Sequence, residues 1–303
     1  MRAGGTIVNA MTVDVEDYFH VAAFANDISR SDWDKMEYRA EANTHRLLQL
    51  FADSQIRATF FVLGWVAKRS SQLVRDIQRA GHEIASHGMS HKLVYNQTRE
   101  EFATETIESK ALLEDITGQR IDGYRASTYS ITKKSLWALD VLCEAGFKYD
   151  SSIFPIAHDK YGIPDAPLAP AIIAAPSGRQ IVEFPMSTAK LMGLRVPVSG
   201  GGYFRLLPYA ITKLGLNKLN KKLERPFVFY LHPWEIDVDQ PRVQTNWLSR
   251  FRHYNNLDEC ELRLKRLIGD FRFGTMKDVL ESQGLFSRSN SSAVSDGPVF
   301  TLA

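Results

Sequence analysis

The chain contains only two cysteines, Cys143 and Cys260, far apart and in no CxxC context. That excludes a thiolate zinc site and a disulfide framework. Cys143 lies in the apolar-periodic run LWALDVLCEAGF, the setting of a buried free thiol. No stretch approaches the roughly 18 to 20 consecutive apolar residues that span a bilayer, so no transmembrane segment is expected. The start, MRAGGTIVNAMTVDVEDYF, carries one arginine and no apolar run of signal-peptide length, which makes a cytoplasmic address the expectation. No charge of one sign dominates: 37 basic residues stand against 35 acidic ones, a net +2. That balance gives no support to nucleic acid or an anionic membrane as a partner. No internal repeat is visible.

Strand and helix patterns alternate through the first half of the 303 residues, the signature of parallel βα units. TIVNAMTVDV, RATFFVL, HEIASH, IDGYRAS and FKYDSS read as strands, with QIVEFPMS and PFVFYLH following later. The segment 98–118 opens on Thr98 with Glu101 three residues on, a capping-box pattern, and closes at Gly118. The expected fold is an α/β barrel occupying 1–286. Four prolines in IPDAPLAPAIIAAP deny regular helix and central strand, so 154–180 is expected as a surface excursion. From Ser287 the chain becomes SRSNSSAVSDG, and 287–303 is expected to be a disordered tail.

In a parallel α/β barrel functional residues gather where strands exit, because the loops there converge over one mouth. Five exits carry polar groups: DVED at 14–17, SHGMSH at 86–91, RASTYS at 125–130, DSS at 150–152 and HPWE at 232–235. Each has a bland reading: HxxxH as surface residues, DVED as a solvated turn, Arg125 as half of a structural ion pair, His232 as a core histidine. Their convergence points instead to a metal-assisted hydrolytic site. Two neutral imidazoles and a carboxylate leave positions open for water and substrate, a second carboxylate can take a proton, and a protonated histidine can give one.

TVDVEDYF, SHGMSH, YRASTYSI, YDSSIFP and FYLHPWE together resemble, in order, the motifs of the polysaccharide deacetylase family, the NodB-homology or carbohydrate esterase family 4 enzymes. The DVEDYFH opening, the GGGYFR segment and the HPWE close are similar to members from bacterial exopolysaccharide and exosortase loci. The resemblance covers about residues 8 to 282. It implies a distorted (β/α) barrel, often of seven parallel strands, and metal-dependent removal of acetyl groups from N-acetylated sugars of a polysaccharide. It implies Asp14 as the base, Arg125 as its positioning partner, His232 as the acid with Asp150 tuning it, and His87 and His91 as metal ligands. The metal is expected to be Zn²⁺, with Co²⁺, Ni²⁺ or Fe²⁺ as alternatives. Val15 stands where many members have the metal-binding Asp, so the carboxylate ligand is Glu16 or Asp17; alternation along a strand puts Glu16 on the side of Asp14. Ile153 and Phe154 stand where a tryptophan is common, so the apolar wall around the acetyl methyl is expected to differ. A backbone N–H near Tyr129 or Ser127 is the expected oxyanion donor, and Trp65, Tyr203 and Trp234 are candidates to stack on sugar faces. Competing readings are an O-acetyl or small cyclic-amide hydrolase, and a non-catalytic carbohydrate-binding protein. Association with a membrane-bound polysaccharide assembly system is a further expectation.

Overall fold

The computed structural model describes residues 7–158, 160–286 and 299–302. Its strands are β1 (Val8–Val15), β2 (Thr59–Val62), β3 (Glu83–Ser86), β4 (Gly123–Tyr124), β5 (Tyr149–Asp150), β6 (Ala171–Ala174), β7 (Gln180–Glu183), β8 (Thr188–Leu191), β9 (Leu194–Pro197), β10 (Val228–Leu231), β11 (Arg272–Gly274) and β12 (Val299–Thr301). Among the described residues, seven strands run parallel in the order β10-β1-β2-β3-β4-β5-β7. These are the seven strands that the sequence pattern delivers. β1 is central and buried along all but its first residue, as expected of a parallel strand covered on both faces.

Helices pack outside this sheet: α1 (Ala40–Asp53), α2 (Gly64–Arg69), α3 (Ser71–Arg79), α4 (Arg99–Thr117), α5 (Trp137–Glu144), α6 (Gly201–Leu206), α7 (Tyr209–Asn217), α8 (Trp247–Tyr254), α9 (Leu257–Asp270) and α10 (Met276–Ser282). The Thr98 capping box is formed: Glu101 N–H donates to Thr98 Oγ1 at 3.2 Å and Thr98 N–H to Glu101 Oε2 at 2.8 Å. α4 stops at Gly118, whose φ of 63° is left-handed.

The two ends of the parallel run are tied together. Val198 N–H donates to the Ser187 carbonyl at 3.1 Å and Tyr230 N–H to the Ser199 carbonyl at 2.7 Å. Gly200 continues this bridge beside Tyr230 with φ 126°, where a Cβ would stand 1.9 Å from the Tyr230 carbonyl oxygen. The glycine run therefore serves a close backbone approach that any side chain would block. The result is a distorted (β/α) barrel of the expected kind.

Two expectations need correction. Residues 154–180 are no surface excursion: Phe154, Ile156, Ile163, Ile172 and Ile173 are buried, and β6 pairs antiparallel with β7. Pro170 and Pro176 stand outside the β6 strand, so no ladder N–H is lost. Of the expected tail, 287–298 lies outside the described residues, but Val299–Thr301 is a strand pairing in parallel with β6. Its Val-Phe-Thr sequence has the β-branched and aromatic character of an edge strand.

Candidate active site

Asp14 and Glu16 stand two residues apart at the exit of β1, and the pleat sends both to the same side. Glu16 meets His87 and His91, which leave β3 through Gly88 at φ 74°. Their ligand atoms lie within 4.8 Å of one another, and all three residues are buried. Glu16 Oε2 is 2.6 Å from His91 Nε2 and 3.9 Å from His87 Nε2. Yet this oxygen accepts no hydrogen bond, a costly state for a buried carboxylate.

The tautomer of His87 completes the test of fit. Its Nδ1 lies 2.9 Å from the Arg125 carbonyl oxygen, which can only accept. Nδ1 therefore carries the hydrogen, and the Nε2 lone pair faces Glu16. Burial lowers the His87 pKa to about 4, which keeps the ring neutral. Burial works against the charge of Glu16, and attraction to His91 and His232 overcomes it, holding the carboxyl well below its ordinary range. An orphaned carboxylate oxygen beside the Nε2 atoms of His87 and His91 suits a divalent cation, and this donor set fits zinc and related ions.

Asp17, the other candidate ligand, faces away. Its Oδ2 accepts from the backbone N–H groups of Arg39 (2.6 Å) and Ala40 (2.7 Å), and its Oδ1 from Tyr18 N–H (2.8 Å). It ties the β1 exit to the first turn of α1, which is why an acidic residue follows Glu16.

Arg125 is fully buried and hydrogen-bonded through all three of its guanidinium nitrogens. Nη1 donates to Asp14 Oδ1 at 2.7 Å and to Thr12 Oγ1 at 2.8 Å, Nη2 to Ser151 Oγ at 3.0 Å, and Nε to the Ser151 carbonyl at 3.1 Å. The guanidinium also lies 4.1 Å from the Phe61 ring centroid.

His232 faces both carboxylates, with Nε2 3.9 Å from Asp14 Oδ2 and 3.6 Å from Glu16 Oε1. Its Nδ1 is held at 2.8 Å by Glu235 Oε1. Glu235 Oε2 in turn accepts from Arg205 Nε at 2.7 Å. Burial would depress the His232 pKa, but Glu16 and Glu235 outweigh it and raise it to about 9.

Asp150 is therefore not the partner of His232. Its Oδ1 accepts from Ser152 Oγ at 2.5 Å, and its neighbour across the strands is the buried Glu183. β5 ends at Asp150 beside β7, so the side chain meets Glu183, its register partner. Glu235 and Arg205 were missed. The signals were present as the last residues of HPWE and GGGYFR.

The cavity over these groups measures about 210 Å³ and is lined further by Tyr129, Tyr161, Tyr230 and Trp234. Trp234 is sandwiched between the rings of His232 (5.1 Å) and His253 (4.2 Å), and its Nε1 faces Glu16 at 3.5 Å. Its faces are thus covered and it presents an edge, not a stacking platform. Trp65 packs edge-on against Phe19, His20 and Trp33. Tyr203 lines a neighbouring groove with Tyr161, Tyr230 and Phe251. Thr128 and Tyr129 hold φ of 55° and 54°, a strained turn beside the cavity. The Tyr129 N–H donates to the Ala126 carbonyl at 3.1 Å, so in this conformation it is not free for an oxyanion.

With this geometry in place, the comparisons are specific. Residues 31–149 match the Polysaccharide deacetylase family model, and 151–281 match a domain of unknown function, DUF3473. The peptidoglycan deacetylase of Helicobacter pylori is 29% identical over 133 residues, 44% of each chain. A chitooligosaccharide deacetylase of Sinorhizobium fredii is 44% identical over 48 residues, 16% of this chain and 22% of its own. The chain spans less than half the length of these curated relatives. A Mycobacterium smegmatis structure assigned to the polysaccharide deacetylases superposes with TM-score 0.63 at 19% identity, covering 99% of this chain and 97% of the other. PuuE allantoinase superposes with TM-score 0.61 at 16% identity, covering 95% and 92%. Both likenesses establish the fold.

Proposed function

We propose that the chain, whose residues 31–149 match the Polysaccharide deacetylase family model, removes acetyl groups from N-acetylated sugars of a bacterial polysaccharide in a metal-dependent hydrolysis. The observation that carries this reading is the placement, around one cavity, of Glu16, His87 and His91, the Asp14–Arg125 pair and His232. A binding module needs no base and acid facing each other.

Glu16, His87 and His91 would hold the ion, most simply Zn²⁺, with Co²⁺, Ni²⁺ or Fe²⁺ chemically equivalent choices for this donor set. Such an ion supplies a lowered pKa for a bound water and polarisation of the acetyl carbonyl. Asp14, oriented by Arg125, takes the proton of the attacking water. His232, held protonated by Glu235, returns a proton to the sugar nitrogen as the carbon–nitrogen bond breaks. Arg205 fixes the Glu235 carboxylate and so the direction of the His232 ring. Tyr203 and the groove beside it would take a neighbouring sugar. The DVEDYFH, GGGYFR and HPWE segments support an exopolysaccharide as the polymer.

The test is acetate release from N-acetylglucosamine oligomers by metal-stripped protein, with and without added Zn²⁺, for wild type and Asp14→Asn. Release that requires metal and is lost in the variant supports the reading. Stoichiometric metal binding with no release overturns it for N-acetyl substrates and moves the reaction to O-acetyl esters.

A further inference from the structure

The even charge balance of the whole chain hides one sharp exception. Between Glu183 and Glu224 there is no acidic residue in 40 positions, and the same stretch carries seven lysines and arginines. Three of these are spent internally. Arg205 pairs with Glu235, Lys213 with Asp270 at 2.6 Å, and Arg195 donates to the carbonyls of Pro155 and Pro164. Among the described residues, no carboxylate pairs with Lys190, Lys218, Lys221 or Lys222.

The segment that carries these four lysines also carries exposed apolar side chains. β8 and β9 form a hairpin with Leu191 opposite Leu194, leaving a two-residue turn at Met192 and Gly193. Both have positive φ, 47° and 86°, the type I′ geometry that favours Asn or Asp followed by Gly. A methionine at that first position is locally unfavourable and packs on nothing, since its relative exposure is 101%. Leu194 beside it is 72% exposed. α7 packs on the hairpin through Gly215, against Val198 and Ala189, and Lys218 Nζ donates to the Lys190 carbonyl at 2.6 Å. Its outer face presents Ile211 and Leu214, and Leu223 follows in the open.

We propose that the β8–β9 tip and the outer face of α7 form a docking surface for an anionic lipid bilayer. Exposed apolar side chains inserted at the headgroup boundary, on a segment whose lysines pair with no carboxylate, match the chemistry of such a surface. Lysine is depleted in protein–protein interfaces, which weighs against a protein occupant. The inference does not depend on the reaction assigned to the cavity, because none of these residues lines it.

The test is flotation of the full chain with phosphatidylcholine vesicles, with and without phosphatidylserine, at low and high salt. Binding is expected only with phosphatidylserine, weakening with salt. Replacing Lys190, Lys221 and Lys222 by Gln should weaken it by about fivefold per lysine. Met192→Asp with Leu194→Asp should also release it; both sites are exposed, and Asp suits the turn, so folding is preserved. Circular dichroism and acetate release from soluble oligomers should stay at the wild-type level. No vesicle binding at low salt, or binding that these variants leave intact, would overturn the proposal. So would a concentration-dependent dimer in sedimentation that the same substitutions abolish while the vesicles stay bare.

Discussion

His87 donates its Nδ1 hydrogen to the backbone carbonyl of Arg125, whose guanidinium holds Asp14. One residue thus orients a candidate cation ligand through its main chain and the candidate base through its side chain. Replacing His87 with Ala should lose metal binding and activity together, each by more than about a hundredfold. Titration calorimetry with Zn²⁺ and acetate release measure the two losses; a variant that keeps full activity without metal would sink the scheme.

Removing the Arg125 side chain should be felt in stability as well as in turnover. The guanidinium is fully buried, and Arg125→Met would strip Asp14 of its ion-pair partner at 2.7 Å. Breaking a buried pair from one side costs about 3–5 kcal/mol. Urea denaturation should show that loss, whereas Asp14→Asn, which removes the charge and keeps the shape, should cost less.

Glu235→Gln addresses the acid. Glu16 and Glu235 lift the His232 pKa to about 9 against burial, so the ring is protonated at neutral pH and loses its proton as pH rises through that value. Without Glu235 the raised pKa falls, so the alkaline limb of the kcat profile should move to lower pH, and kcat should drop by about a hundredfold. Asp150→Asn should leave that limb in place.

Asp150 instead predicts a pH effect on folding. Burial raises its pKa from 3.8 to about 6, and raises that of Glu183 well above the carboxylate range. The folded protein therefore binds a proton that the unfolded chain has released. The stabilisation is complete below about pH 4 and is lost as pH climbs through about 6 and beyond. Denaturant midpoints measured across that window should decline, and Asp150→Asn should flatten the decline.

The barrel and most of the cavity wall were legible because they rest on periodicity. Seven apolar runs at βα spacing give seven parallel strands, and period-two alternation selects Glu16 over Asp17. What failed depended on direction rather than order. Asp150 does stand at a strand exit, but only the pairing of β5 with β7 turns it toward Glu183. Glu235 reaches His232 through a short helical turn over Pro233–Ile236, a contact three residues long that strand logic does not address. β6 was hidden because its flanking prolines look prohibitive until they are seen to lie outside the strand.

Asp17 has a consequence for how the protein assembles. Its carboxylate joins the residue after Glu16 to the first N–H groups of α1. Local fraying of that helix therefore loosens the backbone that aims Glu16. The proposed cation site would then report on helix docking: metal affinity and the hydrogen-exchange protection of α1 should rise and fall as one quantity.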